Sequence, residues 1–435
     1  MPIDREKLLA RMKRIRERGD EPCVHRGATI DHIQRTCCGN VARFACARTG
    51  RIVEETKCKG CTLYSVNVCT TGTQPFEEPQ APAARAKGAP RRILLTNWQA
   101  PGDLTMLTAA IRDLHKVFPG RYETDVRTSC EAIWHHNPYL TRFPEPWIDE
   151  EASRTRDAQP AVPRERDGIL FIPCTYEISA HHHFVGAFHR TLGRALGIEI
   201  PVTEVHGDIH FSEPERCWMS QLQEMGVHEP FWIIATDGKW DYTAKWPNWQ
   251  TLQEVVWRLQ GKVLFIQTGV RGNFTPPLRN VVDFIGQTDM RMLIRLIYHA
   301  AGVLCSVNGL MHLAAAVPTK PELPAARPCV VLAGGREQST WEHYPWHRWL
   351  GAQGTMPCCT PSACWKSRCT PVGDGDAKDN ADQRCQNFNT YAVPEGVDTG
   401  AIRLPEVRIP KCLDAISAAD IVSAIQSYYT GGLLK

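Results

Sequence analysis

The chain has 435 residues, of which 43% are hydrophobic and 22% charged, and its formal net charge is +3 at neutral pH. This length exceeds what one hydrophobic core usually holds, so it predicts two sizeable domains with additions. The nearly balanced charge gives no chain-wide electrostatic case for binding nucleic acid or an acidic membrane surface.

The cysteine content bears on compartment and on metal binding. The sequence has no apolar run of about 18 residues, and its Arg- and Lys-rich start lacks the apolar core of a signal peptide. We therefore expect a cytoplasmic protein, whose 18 cysteines are better suited to metal sites or buried thiols than to disulfides. Clustering favours metal, since seven cysteines lie between Cys23 and Cys69 and six between Cys358 and Cys412.

Residues 1–70 are predicted to combine a short amphipathic helix with a zinc-ribbon-like module. Cys58 and Cys61 form a Cys-x-x-Cys pair with a glycine inside, which is typical of a zinc knuckle. The candidates for the second pair of a tetrathiolate site are Cys23, Cys37, Cys38 and Cys46, of which we select Cys23 and Cys38. Free thiols are the alternative. Residues 71–91, rich in Pro, Ala and Gly, are predicted to be a linker.

The next segment begins with a predicted strand, a polar turn and a helix. An apolar run at residues 93–95 leads to Gly102 and Asp103, and apolar residues then recur at helical spacing up to Phe118. Ligands of open α/β sheets bind at the carboxyl ends of the strands, so chemistry is expected at this turn. Gly102 lets the backbone approach a ligand, and Asp103 is either the N-cap of the helix or a carboxylate base.

Strands and helices alternate through the remainder of the chain. A helix is predicted from His181 to Leu192, and a new series of strands starts at Phe231. This pattern predicts two doubly wound, Rossmann-like α/β domains, at residues 92–205 and 206–435, facing each other across a cleft.

Polar residues follow several predicted strands of the second domain. Asn308 and Gly309 open a helix whose N-terminal amides and positive dipole suit a phosphate. His312 could contact the same phosphate or could instead pack against its own sheet. The other candidates for nucleotide contacts at strand ends are Thr236, Lys239, Gln267 and the turn of residues 334–337.

Three stretches, in this order and spacing, resemble glycosyltransferase family 9, the ADP-heptose:lipopolysaccharide heptosyltransferases. They are Gly102-Asp103-Leu104 with its helix, Lys245-Trp-Pro, and Asn308-Gly309-x-x-His312. The resemblance implies a GT-B fold and an inverting transfer without a catalytic metal, with the donor in the C-terminal domain and the acceptor on the N-terminal one. It further implies that Asp103 is the catalytic carboxylate, Lys245 binds the diphosphate, and Gly309 and His312 belong to the nucleotide loop.

Two features depart from the family's pattern. Val307-Asn308 stands where the family has Asp-Thr, which allows a donor other than ADP-heptose. The C-terminal cysteines, at residues 358–412, resemble the metal finger of the bacterial autotransporter heptosyltransferases, which glycosylate proteins. The ligands predicted for a structural zinc or iron in this finger are Cys359, Cys364, Cys385 and Cys412.

The sequence therefore predicts an inverting glycosyltransferase that uses a nucleotide-diphosphate sugar and a hydroxyl acceptor on a glycan or protein. Asp103 would take the acceptor proton while cations and amides hold the leaving diphosphate. One alternative is a zinc-ribbon protein that binds or glycosylates nucleic acid. Another is a sugar-nucleotide-binding scaffold without activity.

Overall fold

The computed structural model describes residues 34–35, 42–45, 52–54, 89–157, 162–176, 182–236, 238–359, 363–393, 395–397, 402 and 404–429. The chain divides into two compact units. The first unit consists of residues 63–217, and the second consists of residues 218–435 together with 1–62.

Three short strands are described near the N-terminus. They are β1 (Gln34–Arg35), β2 (Ala42–Ala45) and β3 (Ile52–Glu54), and they form an antiparallel sheet. The predicted metal ligands of this region, Cys23, Cys38, Cys58 and Cys61, lie outside the described residues.

A four-stranded sheet forms the centre of the first unit. Its strands, in the order β5-β4-β7-β6, are β4 (Arg91–Asn97), β5 (Tyr122–Thr128), β6 (Arg164–Arg166) and β7 (Ile169–Pro173). The helices are α1 (Pro101–Val117), α2 (Ile148–Asp157), α3 (Phe184–Leu196) and α4 (Glu213–Arg216), with a 3-10 turn at Glu131–Trp134. Strand β4 runs parallel to β5 and β7, so the loops that follow these three strands meet at one edge.

Helix α1 is buried on more than the apolar face that its sequence pattern predicts. Arg112 and Asp113 are also buried, at 2% and 0% exposure. Arg112 donates hydrogen bonds to the carbonyls of Glu204 and His206, each at 2.8 Å. These bonds attach residues 204–206 to α1, and the stretch is therefore part of the first unit.

A six-stranded parallel sheet forms the centre of the second unit. Its strands are β8 (Phe231–Ala235), β9 (Leu264–Gly269), β10 (Val282–Ile285), β11 (Gly302–Ser306), β12 (Cys329–Gly334) and β13 (His347–Gly351). The order β10-β9-β8-β11-β12-β13 is that of a doubly wound nucleotide-binding sheet, with its switch point between β8 and β11. A separate antiparallel pair comprises β14 (Phe388–Tyr391) and β15 (Val407–Pro410).

The helices of the second unit are α5 (Gln221–Glu224), α6 (Trp249–Arg258), α7 (Met290–His299), α8 (Gly309–Ala316), α9 (Ser339–Glu342), α10 (Lys411–Asp414) and α11 (Ala418–Ser427). Two 3-10 turns lie at Trp240–Lys245 and Ala377–Asp379. Within the part of the chain that the structure describes, no helix has the length and apolar character needed to cross a bilayer.

The prediction of an α/β fold with parallel sheets is confirmed in both units. Two local predictions need correction. Helix α3 begins at Phe184 and not at His181, because the ring of His183 caps it by accepting the Val185 amide at 3.2 Å. Strand β13 was not predicted, since His347–Gly351 has neither an apolar run nor an apolar alternation.

Candidate functional site

The turn between β4 and α1 places Asp103 in the first turn of the helix. Helix α1 begins at Pro101, a residue favoured at the first helical position. Oδ2 of Asp103 accepts the Ala100 amide at 3.1 Å. Asp103 thus caps the helix from its third residue and not as the N-cap, which corrects that part of the prediction. Gly102 is buried beside it.

Polar groups at the ends of the three parallel strands hold this turn. Asn97, the last residue of β4, accepts the Gln99 amide at 2.8 Å and donates to the Cys174 carbonyl at 2.8 Å. Ser129, just after β5, donates to the Gln99 carbonyl at 2.6 Å. Neutral hydrogen bonds therefore join the loops after β4, β5 and β7. Sequence reasoning missed Asn97 and Ser129, although a polar residue ending a buried strand was a usable signal for Asn97.

In the second unit, Lys245 ends the 3-10 turn that follows β8 and pairs with a carboxylate. Its Nζ lies 2.7 Å from Oε1 of Glu337, which is in the turn after β12. Arg336 donates from Nη1 to the same oxygen. The side chain of Lys245 is 24% exposed and that of Glu337 only 2% exposed. Two cations therefore share one buried carboxylate oxygen.

Aromatic rings and a carbonyl position Arg336. Its Nε donates to the Lys366 carbonyl at 2.6 Å. Its guanidinium carbon lies 5.3 Å from the ring centre of Tyr242 and 5.2 Å from that of Trp365, distances at which cation–π attraction operates. Nζ of Lys245 lies 5.7 Å from the Tyr242 ring centre, and Tyr242 is 38% exposed. Tyr242 is thus a half-exposed aromatic side chain beside both cations.

Helix α8 begins just after β11 with the predicted cap. Oδ1 of Asn308 accepts the Leu310 amide at 2.9 Å, and Gly309 is the first helical residue. The amides of this first turn and the helix dipole are suited to an anion. The prediction that Asn308 and Gly309 form a helix N-terminus is confirmed.

His312 of α8 is buried, and both of its ring nitrogens have partners. Nδ1 lies 2.7 Å from the hydroxyl oxygen of Tyr344, and Nε2 lies 3.2 Å from Oε2 of Glu342. A phosphate contact by His312 would need one of these two contacts to open. Sequence reasoning missed Tyr344 and Glu342, which come from about 30 residues further along the chain.

Glu342 links α8 to the two cations. Burial opposes the charge of its carboxyl group, but the hydrogen bond with His312 and the positive charge of Lys245 outweigh burial. Arg336 acts in the same direction, and the pKa of Glu342 falls to about 2. The loops after β8, β11 and β12 therefore form one charged site at the carboxyl edge of the sheet.

Two of the predicted nucleotide contacts are engaged inside the second unit. Thr236 and Gln267 are fully buried. Thr236 donates to the Pro276 carbonyl at 2.9 Å, and Gln267 accepts the Leu278 amide at 2.7 Å. Both side chains thus hold the loop after β9, and a nucleotide contact by either stays a prediction. Lys239 is exposed at the start of the 3-10 turn.

The four C-terminal cysteines predicted as metal ligands are neighbours. Cys359 and Cys385 are buried, while Cys364 and Cys412 are half-buried. Burial raises the pKa of Cys412 to about 12, and the other three thiols add to this rise. Across the described ranges, no three His, Cys, Asp or Glu side chains have the geometry of a metal site. The metal finger stays a prediction.

Cys369, which was not among the predicted ligands, pairs with Cys385. The hydrogen bond between the two thiols lowers the pKa of Cys385 to about 7 and raises that of Cys369.

The Cys369 segment also supports the Lys245 turn. Thr243 donates to the Thr370 carbonyl at 2.7 Å and accepts the Cys369 amide at 2.8 Å. The cysteine cluster is therefore bonded to the segment that carries Lys245.

Several solved structures are similar to this chain. The glycosyl transferase family 9 protein of Veillonella parvula has 14% identity and a TM-score of 0.44, with 60% of this chain and 86% of that chain covered. ADP-heptose LPS heptosyltransferase II of E. coli has 12% identity and a TM-score of 0.46, with 77% of this chain and 98% of that chain covered. The iron-containing dodecameric glycosyltransferase TibC of enterotoxigenic E. coli has 16% identity and a TM-score of 0.40, with 60% of this chain and 63% of that chain covered.

Comparison with curated protein sequences finds no match. The model of glycosyltransferase family 9 (heptosyltransferase) matches residues 161–321. The matched segment includes Lys245, Asn308, Gly309 and His312, whereas Asp103 and the C-terminal cysteines lie outside it. Residues 161–321 thus carry the sequence pattern of glycosyltransferase family 9, and this match supports glycosyl transfer from a nucleotide sugar.

Proposed function

We propose that the chain is an inverting glycosyltransferase of the GT-B type. In this proposal it moves a heptose or another hexose-like sugar from a nucleotide-diphosphate sugar to a hydroxyl group of a glycan or protein. One observation carries the proposal. The family 9 match spans the Lys245 turn and the start of α8, and both segments lie with Arg336 in one charged site at the switch point of a nucleotide-type sheet.

The donor diphosphate would bind at this charged site. Lys245 and Arg336 supply positive charge, and the first amides of α8 supply hydrogen bonds and the positive end of a helix dipole. These groups would stabilise the negative charge that develops on the diphosphate as it leaves C1 of the sugar. Because side chains and amides supply this stabilisation, the proposed transfer needs no catalytic metal.

Asp103 would act as the general base. In the proposed step, the acceptor oxygen forms a bond to C1, the bond from C1 to the diphosphate oxygen breaks, and the acceptor proton passes to the Asp103 carboxylate. Attack from the face opposite the leaving group inverts the configuration at C1. Asn97 accepts the Gln99 amide and Ser129 donates to the Gln99 carbonyl. These two hydrogen bonds support the role, because they fix the turn that carries Asp103.

The C-terminal cysteines have a structural part in the proposal. A zinc or iron ion held by Cys359, Cys364, Cys385 and Cys412 would brace the segment that supports the Lys245 turn. Elemental analysis of the purified chain tests this part, and a metal content well below one atom per chain would remove it.

Turnover of nucleotide sugars tests the activity. The purified chain is incubated with ADP-, GDP-, UDP- and CDP-linked sugars, with and without glycan and peptide acceptors. We expect one donor to release its nucleoside diphosphate faster when the acceptor is present, and NMR of the product to show inverted configuration at C1. Binding of a donor without transfer to any acceptor would support the scaffold alternative. If no nucleotide sugar binds, the proposal is wrong.

A further inference from the structure

Glu337 has an uneven set of partners for a buried carboxylate. Its Oε1 accepts from both Lys245 and Arg336, while its Oε2 is buried without a hydrogen-bond partner among the described residues. A buried polar atom without a partner costs free energy, and natural structures contain few of them. The arrangement therefore calls for a reason beyond stability.

Two carboxylates offset the positive charge of the two cations in the site. Lys245 and Arg336 contribute two positive charges, and the carboxylates of Glu337 and Glu342 contribute two negative charges. A site that only had to hold a diphosphate would gain affinity from the loss of either carboxylate, because each one repels the incoming anion. Glu342 is already occupied by His312, at 3.2 Å from Nε2. Glu337, in contrast, has one oxygen left over.

We propose that Glu337 is a specificity-determining residue that weakens the binding of simple polyphosphate anions and favours a ligand that carries a hydroxyl group next to its diphosphate. The inference rests on the proposed function, because it concerns the same donor site. Lys245 contacts Oε1, so its turning towards a phosphate would free an acceptor position on Oε1 beside the unpaired Oε2, and the carboxylate would then accept a hydrogen bond from the hydroxyl. A ligand that carries both a diphosphate and a hydroxyl gains a hydrogen bond that offsets its repulsion by the Glu337 charge. Inorganic pyrophosphate has no such hydroxyl and meets only the repulsion.

The hydroxyl has two possible sources, since a nucleotide sugar carries a ribose on one side of its diphosphate and the transferred sugar on the other. Both present the same chemistry to a carboxylate, namely an O–H donor. The two sources are separated by ligand analogues. A 2′,3′-dideoxy nucleoside diphosphate lacks the hydroxyls of the ribose. An ordinary nucleoside diphosphate keeps these hydroxyls but lacks those of the transferred sugar.

The experiment measures binding to the full chain by isothermal titration calorimetry. The probes are pyrophosphate, the four nucleoside diphosphates ADP, GDP, UDP and CDP, the 2′,3′-dideoxy form of the tightest of these, and its nucleotide sugar. We expect Glu337→Gln to bind pyrophosphate about tenfold more tightly than the parent, because one repelling charge is removed. The matched control is Glu254→Gln, which removes an exposed carboxylate paired with Arg258 and should leave pyrophosphate binding unchanged.

The same titrations identify the hydroxyl. If it belongs to the ribose, the parent loses about tenfold in affinity for the dideoxy form and Glu337→Gln loses little. If it belongs to the transferred sugar, the parent prefers the nucleotide sugar to the nucleoside diphosphate, and Glu337→Gln does not.

Pyrophosphate affinity that is unchanged or weaker in folded Glu337→Gln would overturn the proposal and leave Glu337 as a support for Lys245. Thermal melting shows whether the variant folds. If Glu337→Gln does not fold, the affinities of the parent chain are the test. The proposal is overturned if the parent binds pyrophosphate as tightly as it binds the best nucleoside diphosphate. If no nucleotide or nucleotide sugar binds the parent, the proposed function itself fails.

Discussion

Two buried carboxylates, one in each unit, are held in opposite ways. In the first unit, both oxygens of Asp113 are used. Oδ1 accepts from Arg112 and the Thr203 hydroxyl, and Oδ2 accepts from the Thr203 amide and lies 2.8 Å from Nε2 of His189. In the second unit, Glu337 has two cations on one oxygen and no partner within the described residues on the other.

This difference separates a structural charge from a functional one. Burial opposes the charge of Asp113, but hydrogen bonds with His189 and Arg112 outweigh it and lower the pKa of Asp113 below its usual range. The Asp113 carboxylate, with partners on both oxygens, joins α1, α3 and residue 203 and has no acceptor position left for a ligand. Glu337 has partners on one oxygen and lies beside Lys245, which is partly exposed, so a ligand can change its hydrogen bonds.

The largest expected effect is the loss of stability in Asp113→Ala. This change removes the buried carboxylate that Arg112 contacts at 2.8 Å and leaves it the more distant, exposed Glu204 carboxylate at 3.8 Å. It also breaks the hydrogen bonds to Thr203, so the free energy of unfolding should fall by about 3–5 kcal/mol. Urea denaturation measures this change. The control is Asp208→Ala, which removes a partly exposed carboxylate paired with His210 and should cost less than about 1 kcal/mol. Equal losses in the two variants would show that the Asp113 network is not a structural centre.

The next effect concerns Asp103, whose carboxylate accepts the Ala100 amide in the first turn of α1. Asp103→Asn keeps the shape of the side chain and most of its ability to accept the Ala100 amide, so stability should barely change. If Asp103 is the base, the transfer rate should fall by roughly a hundredfold or more. Steady-state kinetics with the best donor measure this rate, and Asp103→Ala should in addition cost about 1 kcal/mol of stability. Transfer at the parental rate by Asp103→Asn would remove the proposed mechanism.

Lys245→Ala tests whether the lysine beside Glu337 in the second unit binds the donor. The loss of a charge-assisted contact to a phosphate should weaken nucleotide-sugar binding by about 1–3 kcal/mol, and the protein should stay folded because Lys245 is partly exposed. Titration calorimetry measures the affinity. Lys262→Ala removes an exposed lysine of the same unit and serves as the control. Unchanged affinity in Lys245→Ala would take this residue out of the site.

The fold was largely predictable because strands that are buried in a parallel sheet have continuous apolar sequences. Residues 231–235 and 302–306 are examples, and both were predicted at their observed positions. Strand β13 escaped prediction because His347–Gly351 is a short edge strand with polar and aromatic residues. Its position depends on pairing with β12, which no local pattern encodes.

The candidate site was predictable only in part, for a similar reason. Lys245 and Asn308 carry local sequence patterns, whereas Glu342 and Tyr344 reach His312 from a distant part of the chain. Thr236 and Gln267 show the reverse case. Thr236 directly follows β8, and Gln267 was predicted to end its strand but lies inside β9. The backbone of the loop after β9 leaves a carbonyl and an amide that these side chains satisfy.

The smallest expected effect is the pH dependence that Glu342 gives to stability. The pKa of Glu342 is lowered from 4.5 to about 2 in the folded chain. A carboxyl group with a lowered pKa stabilises the folded state above its unfolded pKa and loses this contribution as the pH falls towards its folded pKa. The contribution should therefore be present at pH 5 and above and decline by about 1 kcal/mol per pH unit between pH 4 and 3.

Glu342→Gln cannot titrate, so its free energy of unfolding should depend less steeply on pH between pH 4 and 3. Glu254→Gln, which changes an exposed carboxylate, is the control and should follow the parent. Urea denaturation at pH 7, 5, 4 and 3 gives the three curves. Parallel curves for the parent and Glu342→Gln would mean that Glu342 is not held as a charged partner of His312, and the second unit would then lose the carboxylate that links α8 to its two cations.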